Sequence, residues 1–392
     1  MSQRPTQKVA FSLRNPAVRA WLYQILAVVL LFAFLGYLLH NTITNLTTRG
    51  ITSGFDFLNR GAGFGIVQHL ISYEEGDTYA RVFLIGLLNT LLVSALCIVF
   101  ASFLGFVVGL GRLSDNWLIR KLCTVYVETF RNIPPLLQIF FWYFAVLRNL
   151  PGPRQSLNAF DTVFASNRGL YLPSPEMAAG FWPAVIGLLL AVGGILFLKR
   201  YNHFRQIHTG LVWRIWPWCL LMLVLFPAIA QLIFGPALHW DIPKLRGFNF
   251  GGGMVLIPEL GALTLALSVY TSTFIAEVIR SGIQSVSHGQ HEAARSLGLP
   301  NPVTLRQVIL PQAMRVIIPP LTSQYLNIVK NSSLAAAIGY PDMVSLFAGT
   351  VLNQTGQAIE TIAITMSVYL IISLVISFLM NIYNRRIALV ER

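Results

Sequence analysis

The sequence predicts an all-α integral membrane protein with about eight transmembrane helices. Three observations carry that prediction: an apolar composition, eight stretches suited to crossing a bilayer, and an uneven distribution of Lys and Arg among the connecting loops. Hydrophobic residues make up 55% of the 392 and charged residues only 11%. Mean hydropathy is +0.64, so most of the chain is suited to lipid.

The apolar stretches lie near residues 20–39, 82–110, 133–147, 181–198, 215–234, 258–279, 316–338 and 358–382. The first follows a polar, basic segment and is succeeded by His40, Asn41 and Thr42, with no small-residue cleavage site, so it reads as a retained signal-anchor helix. The third is shorter than the roughly 20 residues a span needs and must borrow from residues 124–132. Long connections at 41–81 and 149–180 are rich in Gly, Asn, Pro and Ser and read as folded loops, not separate domains. No tandem repeat or low-complexity tract is present.

Lys and Arg set the orientation. One side receives Arg4, Lys8, Arg14 and Arg19, then Arg112, Arg120 and Lys121, then Lys199, Arg200, Arg205 and Arg214. It also receives Arg280, Arg295, Arg306 and Arg315, and finally Arg385, Arg386 and Arg392. The other side holds Arg49, Arg60 and Arg81, then Arg148, Arg154 and Arg168, then Lys244 and Arg246. The richer side is cytoplasmic by the positive-inside rule, which puts both termini there for an even span count. The formal charge of +13 is therefore dispersed over membrane-flanking loops, and a nucleic-acid partner is not expected.

The most informative segment is residues 291–311, HEAARSLGLPNPVTLRQVILP, a polar, basic loop between two apolar spans. Residues 290–297 are good helix formers, Gly298 can adopt a left-handed cap, and Pro300 and Pro302 prevent continuation. Ala293 with Leu297, and Ala294 with Gly298, lie four apart, so one side offers small or apolar surface while Glu292 and Arg295 face elsewhere. Such a helix either docks into a partner's groove or lies as an amphipathic helix on the membrane surface.

Polar residues within the spans are candidates for a path, because ionised groups at mid-membrane are costly. Glu128 with Arg131, and Glu277 with Arg280, are i, i+3 pairs near cytoplasmic helix ends and read as structural ion pairs. Gln324, Asn327 and Asn331 recur at helical spacing on one stripe, with Lys330 beside them. The stripe suits either substrate contact or hydrogen bonding to another membrane subunit. Ser332 and Ser333 follow where the helix can loosen, offering hydroxyls and backbone groups to a zwitterion.

Other chemistry is not indicated. There is no GxxxxGK[ST] phosphate loop, paired-carboxylate site or nucleophile elbow, so energy must come from a partner. Cys97, Cys123 and Cys219 show no metal-ligand spacing and read as packing residues. His203 and His208 lie in a basic loop without carboxylates and are better explained by membrane anchoring than by a metal.

The loop itself carries a family resemblance. Glu292, Ala293 and Ala294, then Gly298, then Leu310 and Pro311 at the close, resemble the EAA signature of ABC importer permeases, with Val308 where Ile is usual. Residues 270–343, together with ETFRNIPPLLQIFFWY at 128–143, resemble the permease subunits of polar amino-acid ABC importers. The extra spans make the chain similar to the larger general L-amino-acid permeases.

The resemblance implies a five-helix type I core at 82–392, with an insertion of two helices at about 151–257. It is preceded by 1–81: a cytoplasmic tail, the first transmembrane helix and a periplasmic loop. It further implies an inner-membrane location, two cytoplasmic ATP-binding subunits that hold the ATP and magnesium, a second permease subunit, identical or homologous, and a periplasmic amino-acid-binding protein. No cofactor in this chain is implied. The competing reading is an ion- or proton-coupled secondary amino-acid transporter, which would ordinarily show inverted halves and buried ionisable groups.

Overall fold

A computed structural model describes residues 16–48 and 54–387. Of the basic residues used for orientation, Arg4, Lys8, Arg14, Arg49 and Arg392 lie outside these, as does most of the N-terminal tail. Among the described residues six helices are long and apolar enough to cross a membrane. They are α1 (Pro16–Thr48), α2 (Tyr79–Gly111), α5 (Phe181–Thr209), α6 (Trp216–Phe234), α7 (Pro258–Gln284) and α12 (Ala358–Ile387).

The other two expected spans take irregular forms, which corrects the simple count of eight. The third divides into α3 (Trp117–Asn132) and α4 (Pro135–Phe140), continued by a π-helical turn at Phe141–Val146. Pro134 and Pro135 cause the break: Ile133 is extended, at ψ 124°, as a residue before proline prefers. The Gln138 side chain donates to the Phe130 and Ile133 carbonyls, at 2.8 and 3.0 Å, satisfying groups the break exposes. The seventh is α10 (Leu310–Asn331), which carries Pro319 and Pro320 and is too polar to read as a plain span.

At the centre, α7 runs against α2. In α7 61% of the most apolar window is buried, against none in α1 or α6. The close crossing depends on Gly105 and Gly109 of α2, which face Ile275, Ala276 and Ile279 and form a GxxxG pair. A β-carbon on Gly105 would stand 2.6 Å from the Ile275 side chain. Helices α10 and α12 complete the bundle. By contrast, α5 and α6 pack on each other, with Gly187 fitted against the Phe226 and Pro227 backbone. The first span and this hairpin therefore lie at the periphery, as expected of helices with few polar interruptions.

Eight short strands among the described residues were not anticipated. β1 (Leu157–Ala159), β2 (Val163–Ser166), β3 (Gly169–Leu172) and β8 (Met254–Leu256) form one antiparallel sheet in that order. β4 (Ser174–Met177) pairs with β5 (Leu238–Asp241), and β6 (Lys244–Arg246) with β7 (Asn249–Gly251). Strands of three or four residues leave almost no periodic trace, and β3–β8 pairs segments on either side of the α5–α6 hairpin. Two-residue turns were the readable signals: Asn167-Arg168 between β2 and β3, with Gly169 at φ +137°, and Gly247-Phe248 between β6 and β7, with Gly247 at φ +65°.

Candidate functional site

The expected docking helix is α8, His288–Ser296. Gly298 is left-handed at φ +69°. Its N–H reaches the Arg295 carbonyl at 2.9 Å and the Leu299 N–H reaches the Ala294 carbonyl at 3.1 Å, closing a Schellman cap. Ala294 is 2% exposed and turned inward, whereas Ala293, Leu297 and Gly298 are exposed, Leu297 at 78%. The burial of Ala294 alone corrects the expectation of one continuous small surface. The outward face is Ala293 and Leu297, flanked by Glu292, which meets the His288 ring at 3.0 Å, and by exposed Arg295.

The closing residues of the motif are helical and not part of a loop. After Pro300, α9 (Asn301–Thr304) and a π-helical turn at Leu305–Ile309 run without interruption into α10, so Leu310 and Pro311 open that helix. Gln312 donates to Gln290 at 3.2 Å, linking the start of α10 to α8.

Of the two expected ion pairs, one forms. Glu277 meets Arg280 at 2.5 Å and also Arg112, from the end of α2, at 2.5 Å. Arg112 is the partner that spacing on α7 could not reveal. Glu128 and Arg131 do not pair: Arg131 instead lies over the Phe274 ring, 5.1 Å from its centroid. An aromatic face from α7 outcompetes a neighbour on the same helix. We expect Glu277→Gln to lower the thermal stability of the purified protein by roughly 1–2 kcal/mol, less than the roughly 3–5 of a fully buried pair because water still reaches it. A melting curve superimposable on wild type would remove the network's stabilising role.

On α10, Asn327 and Lys330 are exposed and Gln324 and Asn331 half-buried. The helix ends at Asn331 and tightens into a 3-10 segment at Ser332–Ile338, so Ser332 and Ser333 do sit at a change of helical form. Both hydroxyls turn back onto carbonyls of the preceding turn, of Val329 and Lys330, at 2.7 Å each.

More polar structure lies nearby than the stripe suggested. Asp342 is 1% exposed, and its carboxylate accepts from the Ser345 N–H at 2.8 Å and the Tyr369 hydroxyl at 3.0 Å. It thereby caps the π-helical segment Val344–Val351. Asn89 of α2 donates to the carbonyls of Gln68 and Pro341 at 2.8 and 2.9 Å, stitching the loop before α2 to the segment after α10. A lone Asp or Asn in apolar surroundings was the available signal, but its partners stand far away in sequence.

Residues 211–389 match the family described as "Binding-protein-dependent transport system inner membrane component". Over its whole length the chain is similar to YhdX of Escherichia coli (strain K12), provisionally named an amino-acid ABC transporter permease protein: 73% identity, covering 100% of this chain and 99% of that one. The chain belongs to this family of importer permeases. The general L-amino acid transport system permease protein AapQ of Rhizobium johnstonii is 49% identical, covering 96% of this chain and 94% of its own. BztB of Rhodobacter capsulatus, a glutamate/glutamine/aspartate/asparagine transport system permease protein, is 42% identical, covering 94% and 93%.

As a permease of this family the chain is an integral inner-membrane subunit of an ABC importer and not itself an enzyme. ATP hydrolysis belongs to a partner, and substrate comes from a binding protein. Nothing among these relatives favours a secondary transporter.

Proposed function

We propose that this permease imports polar or broad-range L-amino acids, and that α8 couples it to the ATPase. The observation that carries the substrate class is similarity along the whole chain, extra helices included, to permeases named for general L-amino acids and for glutamate, glutamine, aspartate and asparagine. The coupling role rests on the capped α8, its exposed Ala293–Leu297 face and the Gln312–Gln290 hydrogen bond that ties it to α10. Residues 82–392 form the transport domain, with the two-helix insertion at about 151–257 and both termini in the cytoplasm. The assembly has two ATP-binding subunits, which hold ATP and magnesium, and a second permease, identical or homologous. A periplasmic amino-acid-binding protein delivers the substrate.

Reconstitution tests this directly. Proteoliposomes containing the purified complex should take up L-amino acids only with ATP inside and the binding protein outside. Uptake that followed an imposed ion gradient and needed no ATPase subunit would overturn the reading.

The α10 stripe supplies a path residue to examine. Asn327→Leu should lower uptake about fivefold while the complex assembles normally, since an apolar side chain removes one hydrogen-bond partner from a passing ligand, worth about 1 kcal/mol. A fall in intact complex with normal uptake per complex would instead assign Asn327 to a subunit contact.

A further inference from the structure

We propose that a cavity at the periplasmic end of α7 is an outer station for a free amino-acid zwitterion, with Glu259 receiving the ammonium group. The proposal rests on the amino-acid reading above. The cavity measures about 230 Å³. That is below the roughly 300–1,000 Å³ of pockets for drug-sized ligands and suits a smaller molecule.

Its walls come from separate parts of the core. They include the loop at Phe64–Val67, Ile257 and Glu259 at the start of α7, Gly339 and Pro341 after the 3-10 segment, and Ser345 and Thr350 of the π-helical segment. The loop is held in place over it: the Tyr73 hydroxyl donates to the Phe64 carbonyl at 2.6 Å, and Asn89 holds the Gln68 carbonyl at 2.8 Å. The other large cavities are lined almost wholly by apolar side chains or lie at the cytoplasmic end of α5.

Among the described residues Glu259 is the only charged side chain lining this cavity. One oxygen, Oε1, accepts from the Tyr143 hydroxyl at 2.7 Å, and no basic group among the described residues forms an ion pair with the carboxylate. Arg148 is near the same tyrosine, its guanidinium 5.8 Å from the ring centroid. A carboxylate and a guanidinium thus flank one phenol without closing on each other. Arg148 is exposed and is not one of the cavity's walls, so within the cavity the ammonium of a zwitterion would meet Glu259 and its carboxylate the hydroxyls of Ser345 and Thr350 on the facing wall. A purely structural Glu259 would serve only to fasten Tyr143 and to favour the α7 N-terminus electrostatically.

The test is equilibrium binding of radiolabelled L-glutamine, titrated to millimolar, to the purified ABC complex in nanodiscs without the binding protein. Glu259→Gln keeps an acceptor for Tyr143 and removes the charge, and should weaken binding by about tenfold or more. Ser345→Ala should weaken it several-fold, while Tyr143→Phe and Arg148→Gln, both outside the cavity's walls, should stay within about threefold of wild type. N-acetyl-L-glutamine, which lacks the ammonium group, should not compete. Basal ATPase activity of each variant verifies assembly, and Glu259→Asp should recover part of the affinity if the longer side chain is not needed to fold.

Absence of binding to the wild-type complex, wild-type affinity in Glu259→Gln, or competition by the acetylated compound would each overturn the proposal. If that happened while wild-type proteoliposomes still took up L-glutamine, the station alone would be wrong. If ATP-driven uptake of every amino acid were absent, the substrate reading would fail with it.

Discussion

Gly298→Val is expected to reduce ATP-driven uptake by at least about tenfold while leaving membrane insertion intact. The backbone there stands at φ +69° and nothing lies within 4 Å of where a β-carbon would be, so space is not the obstacle. The strain is local. A left-handed conformation costs an L-residue roughly 1–2 kcal/mol, with a β-branched side chain at the severe end. To escape it the segment must leave the Schellman cap, and the angle between α8 and α9 then changes. The outward Ala293–Leu297 face would meet the ATPase wrongly, and its stroke would not reach α10.

A graded series makes the test sharper. Gly298→Asn should be mild, Gly298→Ala intermediate and Gly298→Val worst, following tolerance for positive φ. Uptake and substrate-stimulated ATP hydrolysis should fall together. Wild-type coupling in the valine variant would exclude a role for this cap in transmission. Glu292→Lys, which removes the His288 contact and reverses an exposed charge, should impair coupling without affecting the yield of protein.

Gly105→Leu should abolish recovery of folded protein. A β-carbon would stand 2.6 Å from Ile275 and 3.1 Å from the Ser272 carbonyl, at the centre of the α2–α7 crossing. Because the β-carbon is fixed to the backbone, no rotamer relieves the clash, and the helices must separate at a cost of about 3 kcal/mol or more. Separation also loosens the buried residues around it, Cys97, Ala101 and Leu267 among them. Gly193→Leu, at a position with nothing within 4 Å, is the control and should purify normally. Size-exclusion profiles in mild detergent decide it: a monodisperse Gly105→Leu peak at wild-type yield would mean that the crossing is looser than the geometry says.

What the sequence determined by itself was local or compositional. Apolar runs specify helices in lipid because each backbone group must be satisfied within its own segment, so α1, α2, α5, α6, α7 and α12 were legible from runs of residues alone. Gly298 after a run of helix formers announced its cap for the same reason: the cap's hydrogen bonds span only five residues. Family resemblance then suggested the coupling role proposed for α8.

The tertiary structure decided everything that depends on residues distant in sequence. Ala293 and Ala294 are neighbours of similar chemistry, and only packing turned one inward and left the other out. Glu277 acquired Arg112 from another helix, and Arg131 left Glu128 for Phe274. Tyr369 reached Asp342 across 27 positions, Asn89 reached Pro341 across 252, and Glu259 met Tyr143 across 116. Such partnerships are chosen by which helix faces approach within hydrogen-bonding distance. Periodicity along one segment says where a face is, and only the assembled bundle says what it faces.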